Sequence, residues 1–284
     1  MATFTNQATL TYNNTVTNSN IATGELTEAL SVTKTAVVDR YNESDRVTYV
    51  VSIVNSGEAS LTGLVLTDTL GAYAYGTGTL YPLTYVDGSV LYYVNGVLQA
   101  APTVTGESPL VISGISVPAG GNAAVIYDAV TNEFAPLAAE STIVNTATVT
   151  GNGVATPVTD TETIEVAETP RLTIAKSISP TVVTSGQIVT YTFLIQNYGN
   201  TPAAAADNAV ITDTFDPRLS NITVKYNGAD WTVGTNYTYD TATGLFRTVA
   251  GQITVPAATY TRDAVTGAVT TTPGTATVTV SGTI

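Results

Sequence analysis

The sequence predicts an all-β chain of two tandem β-sandwich domains, with an N-terminal donor strand and a second domain that lacks its last strand. Three observations predict it. Thr, Val, Ile and Tyr fill short runs punctuated by 23 glycines and 12 prolines, a composition that favours many short strands and turns. The 284 residues divide into two copies of one pattern. The first dozen residues look like the segment that closes the first copy, and no such segment closes the second.

The repeat comes first, because it fixes which residues are equivalent. Leu30-Ser31-Val32-Thr33-Lys34-Thr35 matches Leu172-Thr173-Ile174-Ala175-Lys176-Ser177. Val47-Thr48-Tyr49 matches Val189-Thr190-Tyr191, and Asn55-Ser56-Gly57 matches Asn197-Tyr198-Gly199, each pair 142 positions apart. Thr67-Asp68-Thr69-Leu70 matches Thr212-Asp213-Thr214-Phe215 at 145, and Ile115-Ser116-Val117-Pro118-Ala119 matches Ile253-Thr254-Val255-Pro256-Ala257 at 138. The first copy then continues through Asn145-Thr146-Ala147-Thr148-Val149-Thr150, whereas the second ends at Ile284. Its missing piece has a likeness at the front, Asn6-Gln7-Ala8-Thr9-Leu10-Thr11.

The elements in order are therefore a donor strand at 1–12, a linker at 13–28, a first domain at 29–151, a second linker at 152–168 and an incomplete second domain at 169–284. Both linkers are read from polar, Thr- and Asn-rich composition. Asn95-Gly96 and Asn227-Gly228 are hairpin turns.

Composition excludes several functions. Net charge is −13 with nine Lys plus Arg, which argues against nucleic-acid and anionic-membrane partners. No apolar run is long enough to span a bilayer. Met1-Ala2-Thr3-Phe4 shows neither a basic region nor an apolar core, so no signal peptide is visible. With no Cys and no His, the usual zinc sites, Ser-His-Asp triads and thiol nucleophiles are ruled out. No P-loop or dinucleotide motif is present, so no cofactor, no metal and no conventional enzyme activity are expected. The acidic loop around Asp39, Asn42, Glu43 and Asp45 lacks EF-hand spacing and reads as solvated. Tyr73, Tyr75, Tyr81 and Tyr85 cluster in an insertion of the first copy and read as partly buried strand-edge residues.

Strand phase carries the chemistry, since residues two apart share a face. Leu30, Val32, Lys34 and Ala36 align, as do Leu172, Ile174, Lys176 and Ile178. Leu64, Leu66, Asp68 and Leu70 align, with Ala209, Ile211, Asp213 and Phe215 as counterparts. Ile143, Asn145, Ala147 and Val149 align, and so do Phe4, Asn6, Ala8, Leu10 and Tyr12 at the chain start. A lysine, an aspartate and an asparagine thus point inward at matched places. A desolvated lysine becomes a neutral, nucleophilic amine. A desolvated aspartate stays protonated and shuttles a proton, and an asparagine offers an amide carbon. These groups suit autocatalytic Lys–Asn isopeptide formation with loss of ammonia. One set is Lys34, Asn145 and the proton shuttle Asp68. The other is Lys176 and Asp213, with Asn6 from a neighbouring subunit. The same residues also read as a buried Lys–Asp ion pair with the asparagine bonded to backbone.

The motifs Leu172-Thr173-Ile174-Ala175-Lys176-Ser177, Val189-Thr190-Tyr191, Asn197-Tyr198-Gly199-Asn200 and Val210-Ile211-Thr212-Asp213-Thr214 resemble the bacterial and archaeal surface repeat known as domain of unknown function 11. The resemblance implies immunoglobulin-like sandwiches in cell-surface stalks, adhesins and fibres. In size and in showing no signal, the chain is also similar to major subunits of clostridial spore appendages. The expected function is a structural subunit of an extracellular filament on a bacterial cell or spore surface. Its partner is itself: the donor strand completes a neighbour's second sandwich, and because the contact is heterologous it propagates into a head-to-tail homopolymer. The alternative is a monomeric surface adhesin or glycan-binding module whose N-terminal strand folds back on its own second domain.

Overall fold

The computed structural model describes residues 2–26 and 29–284, and it is all-β, apart from a single 3-10 turn at Ala205–Asp207. The chain divides into two compact units, Met1–Asn132 with Ile143–Ile164, and Glu133–Thr142 with Glu165–Ile284. Both are immunoglobulin-like sandwiches.

The described N-terminal residues form a hairpin. Strand β1 (Ala2–Asn6) pairs with β4 (Ala22–Leu26), and β2 (Thr9–Tyr12) pairs with β3 (Thr15–Asn18). The segment 13–28, expected as a linker, is therefore the returning arm of a hairpin across its described residues, and Thr27 and Glu28 lie outside them. Two features of the sequence explain this. Thr15-Val16-Thr17 is polar yet keeps a period of two. Asn13 and Asn14 both take positive φ, 44° and 63°, and two left-handed residues in a row make the turn that suits a two-residue hairpin. Asparagine tolerates that region better than other residues with a side chain.

In the first unit, β5 (Leu30–Ala36), β6 (Arg40–Tyr41), β7 (Arg46–Asn55), β8 (Leu61–Asp68), β9 (Leu110–Val117) and β10 (Asn122–Thr131) supply two sheets. One runs from Val97–Gln99 through Leu91–Val94, β10 and β7 to β5. Asn95 and Gly96 form the hairpin turn expected between its first two strands. The other sheet runs from Thr103–Glu107 through β9, β8, β11 (Thr142–Thr150) and β12 (Val158–Val166) to β6. The segment 152–168, expected as a second linker, thus contributes a full strand to this sheet, and Ile164 and Val166 are buried. Here too, Thr-rich composition makes a strand look like a linker. Strand β11 pairs with β8 as Ala147↔Asp68 and Val149↔Leu66.

In the second unit, β13 (Leu172–Ser179), β14 (Ile188–Asn197), β18 (Gly274–Thr283) and β16 (Ser220–Tyr226) form the large sheet, extended by Ala229–Trp231. The opposing sheet is short: β15 (Thr212–Thr214), β17 (Leu245–Thr248) and Tyr237–Asp240. Phe193, Phe215, Tyr237 and Phe246 fill the core between them, with the Phe215 and Phe246 rings 5.9 Å apart. Strand β15 pairs only with β17, and among the described residues nothing stands where β11 and β12 stand in the first unit.

A repeated asparagine ties each sandwich together. Asn197 Oδ1 accepts from the backbone N–H groups of Arg171 and Gly199, both at 2.9 Å, while Nδ2 donates to the carbonyls of Thr201 and Pro256. Asn55 does the same work in the first unit, bonding to Gly57, Ala59, Val117 and Pro118. Gly199 is needed beside it, because a Cβ there would lie 2.1 Å from the carbonyl oxygen of Thr169. Asn197→Ala orphans four backbone groups around a fully buried position and is expected to destabilise the second unit by roughly 3 kcal/mol, given the cost of buried unsatisfied groups. Urea denaturation followed through the single Trp, which lies in that unit, would measure this; an unchanged midpoint contradicts it.

Candidate functional site

The alternation of β5 turns Leu30, Val32 and Lys34 into the first sandwich, and Lys34 is 2% exposed. Leu64, Leu66 and Asp68 on β8 are fully buried, as are Asn145, Ala147 and Val149 on β11. Lys34, Asp68 and Asn145 thus meet in one interior site, with side chains on the faces that a period of two assigns them.

The geometry is specific. Lys34 Nζ forms a buried ion pair with Asp68 Oδ2 and lies 3.2 Å from the phenol oxygen of Tyr127. Tyr127 donates to the same carboxylate oxygen at 2.6 Å. Asp68 Oδ1 accepts from the Leu70 N–H at 2.9 Å. The amine also sits 4.5 Å from the centroid of the Tyr49 ring, which stacks on Tyr127. Asn145 Oδ1 accepts from the Thr69 hydroxyl and the Gly71 N–H, and its Nδ2 makes no hydrogen bond. The carboxamide stands close to the phenols of Tyr49 and Tyr127 without a hydrogen bond of normal geometry to either. Along the outer edge of β5, Asp160 from β12 accepts from the Lys34 backbone N–H at 2.6 Å.

Burial controls the electrostatics. Desolvation holds the Lys34 amine below the usual lysine range, against the opposing pull of Asp68 and, more weakly, of Glu162 and Asp160. Desolvation also pushes the phenols of Tyr49 and Tyr127 above the usual tyrosine range, with the Asp68 charge adding to it. The site thus holds an amine kept toward its neutral form, a carboxyl group and a carboxamide together, all shut away from water.

The second unit places Lys176 and Asp213 together, again as an ion pair. Three aromatic rings, of Tyr191, Phe193 and Phe215, surround the amine at 4.7, 5.6 and 5.4 Å. This site is open: the Lys176 side chain is 41% exposed, against 0% for Lys34. All eight residues of β13 are exposed, where β5 alternates buried and exposed. An apolar groove runs beside β13, lined by Leu172, Ile174, Ile195, Ala209, Ile211 and Ile253. Asn6 lies at the end of β1, opposite Ala22, and with Phe4, Ala8, Leu10 and Tyr12 it is exposed on the hairpin.

Sequence reasoning missed Tyr127, Thr69, Gly71 and Asp160. Tyr127 was visible as an inward residue in the alternation Ala123, Val125, Tyr127, Ala129. In the acidic loop, Asp45 Oδ2 is taken up by the backbone and side-chain amides of Asn42, and among the described residues no cluster suits a metal ion. Tyr85 is buried on a strand paired with β10.

No described protein family and no curated protein matches the sequence, so the surface repeat that its motifs resemble finds no family-level counterpart. Solved structures do match. The major pilin subunit of Bacillus cereus matches at 11% identity over 96% of this chain and 73% of its own, with a TM-score of 0.35. The pilus backbone from Streptococcus pneumoniae matches at 13% identity, over 87% of this chain and 55% of its own, TM-score 0.34. A C-terminal fragment of a major pilin of Streptococcus agalactiae matches at 12% identity, over 80% and 78%, TM-score 0.32.

Burial raises the Tyr41 phenol as well, and the three raised phenols of the first unit give a pH dependence. The folded chain binds these protons more tightly than the unfolded chain does, so their contribution to stability is complete below the unfolded value of about 10 and is lost as pH rises beyond it. Tyr127→Phe removes one of these groups and should reduce the loss of stability between pH ~9 and ~12. Tyrosinate absorbance during alkaline titration would read the same effect: Tyr41, Tyr49 and Tyr127 should stay un-ionised until the first unit unfolds. Ionisation of every tyrosine near pH ~10 with the fold intact contradicts it.

Proposed function

We propose that the chain is a structural subunit of a bacterial surface filament, on the cell or the spore, that polymerises head to tail by donating its N-terminal hairpin to the second sandwich of a neighbour. One observation carries this reading. The same motif is buried as Leu30, Val32 and Lys34 where the β11–β12 hairpin closes the first unit, and exposed as Leu172, Ile174 and Lys176 in the second.

The N-terminal hairpin fits the vacancy by sequence register. Asn6, Ala8 and Leu10 correspond to Asn145, Ala147 and Val149, so Ala8 would face Asp213 and Leu10 would face Ile211. The returning arm corresponds to β12, with Asn18 and Asn20 at the positions of Asp160 and Glu162. From Ala2 to Gly24 the hairpin carries no charged side chain, so it enters an apolar groove without desolvating a charge. Phe4, Leu10, Tyr12 and Val16, all more than half exposed here, would be covered. An unpaired edge on β15 would gain main-chain hydrogen bonds, which is the energetic basis of strand addition.

The same register brings Asn6 to Lys176 and Asp213. Attack of the Lys176 amine on the Asn6 amide carbon, with Asp213 as proton shuttle, would release ammonia and rivet one subunit to the next. Lys34, Asp68 and Asn145 would form the equivalent bond within the first unit. The fibre would then resist both heat and detergent.

Electron microscopy of the purified chain should show filaments, and deletion of residues 2–26 should abolish them while leaving soluble protein. A chain that elutes as a monomer at every concentration favours the closed alternative, in which the hairpin folds back on its own second unit. Lys176→Ala should still polymerise, but its polymers should fall to monomers in hot detergent. A ladder that persists rules out the intersubunit bond.

A further inference from the structure

Asn145 in the first unit is held unlike an ordinary buried asparagine. Its Oδ1 receives two donors, the Thr69 hydroxyl and the Gly71 backbone N–H, each at 3.1 Å. The backbone N–H of Gly71 can only donate, which fixes the atom it touches as oxygen. The Thr146 N–H donates to Thr69 Oγ1 at 3.0 Å, so the threonine's own proton is directed at Asn145. Nδ2, although buried, makes no hydrogen bond. An asparagine kept for structure bonds through both ends of its amide, as Asn55 and Asn197 do in this same chain. Here the carbonyl end is clamped and the nitrogen end is left free.

We infer that the Thr69 hydroxyl and the Gly71 N–H form an oxyanion hole for acyl transfer from Asn145 to Lys34. The inference rests on the isopeptide reading and adds catalytic groups to it. A proton passes from the Lys34 ammonium to Asp68, leaving a neutral amine and a carboxylic acid. Lys34 Nζ attacks Asn145 Cγ, and the carbonyl electron pair moves onto Oδ1, where the two donors stabilise the negative charge. Asp68 delivers its proton to Nδ2 and takes one from Nζ. The Cγ–Nδ2 bond breaks, ammonia leaves, and the Nζ–Cγ amide remains, with Asp68 left as a neutral acid by the proton that the Lys34 ammonium has given up.

The turn after β8 builds this arrangement. Leu70 and Gly71 both take positive φ, 50° and 72°, and this aims successive N–H groups inward: Leu70 at Asp68 Oδ1 and Gly71 at Asn145 Oδ1. One turn therefore holds the proton shuttle and the electrophile together. A leucine in the left-handed region is costly, and full burial of its side chain anchors it there. Glycine is required next, since a Cβ on residue 71 would lie 2.4 Å from the Ile143 side chain. The second unit keeps Thr214 in place of Thr69 but has Asp216 in place of Gly71, so the test belongs in the first.

Intact mass against time after refolding, in a Lys176→Ala background that confines the reaction to the first unit, reads the bond as loss of one ammonia. Removing one oxyanion donor slows such reactions about 100- to 1,000-fold, and Thr69→Val should be slowed by that factor. Thr69→Ser keeps the donor and should react at the parent rate. Thr69→Val reacting as fast as the parent overturns the oxyanion hole while leaving the isopeptide intact. A Thr69→Ser chain as slow as Thr69→Val also overturns it, because the lost methyl would then be the cause. A parent chain that keeps its full mass overturns the isopeptide reading itself.

Discussion

A lysine and an aspartate inside a sandwich are the constraint from which the rest of this structure follows. Each ion alone would cost several kcal/mol to bury, and their attraction offsets that only when hydrogen bonds complete the shell. Around Lys34 and Asp68 the shell is complete: a phenol, a backbone N–H and the aromatic faces of Tyr49 and Tyr127. Keeping water from the pair requires a lid, and β11 with β12 is that lid. Removing the lid would leave the pair in the half-wet state that Lys176 and Asp213 occupy. The charge pair and the closing hairpin are thus one structural unit, repeated in sequence but closed within the chain only once.

That coupling explains why the proposed donor is a hairpin rather than a strand. β11 alone covers the interior of the first sandwich. β12 adds a second kind of contact, since Asp160 satisfies the outward N–H of Lys34 on an edge strand, and Thr161 bonds to Thr146 on β11 at 2.9 Å. An edge strand with open N–H groups invites unwanted pairing, so covering the flank of β5 matters as much as filling the core behind it. The N-terminal segment has both arms available, and its turn is fixed by two adjacent asparagines.

How much of this is legible in the sequence depends on the physics behind each feature. Lys34, Asp68 and Asn145 are legible because a strand has a strict period of two, and apolar neighbours on both sides of each residue fix its face. The repeat makes them more legible still. The strands at 15–18 and 158–166 are not, because exposed, Thr-rich strands have the composition of linkers and only their weak alternation separates the two. Tyr127 escapes for the opposite reason. It faces Tyr49 across β7 and β10, but the equivalent register in the second unit pairs Tyr191 with Val280, so reasoning from the repeat hides it. Thr69 and Gly71 lie in a turn, where side-chain phase has no meaning and only coordinates show where an N–H points.

The differences between the two sites have a common physical sense on the proposed reading. The first site closes as the chain folds and never faces water with its charges paired, so it can depend on a buried phenol and tight desolvation. The second must persist open until a neighbour arrives. An exposed ion pair contributes little in water, and a ring of three aromatic side chains is a way to hold an ammonium in place at a wet site, since cation–π attraction survives partial hydration. The neutral Asn18 and Asn20 suit this open state from the other side, replacing two acids that would have to cross from water into the groove. Each substitution moves the second site away from one assembled by folding and toward one assembled by docking.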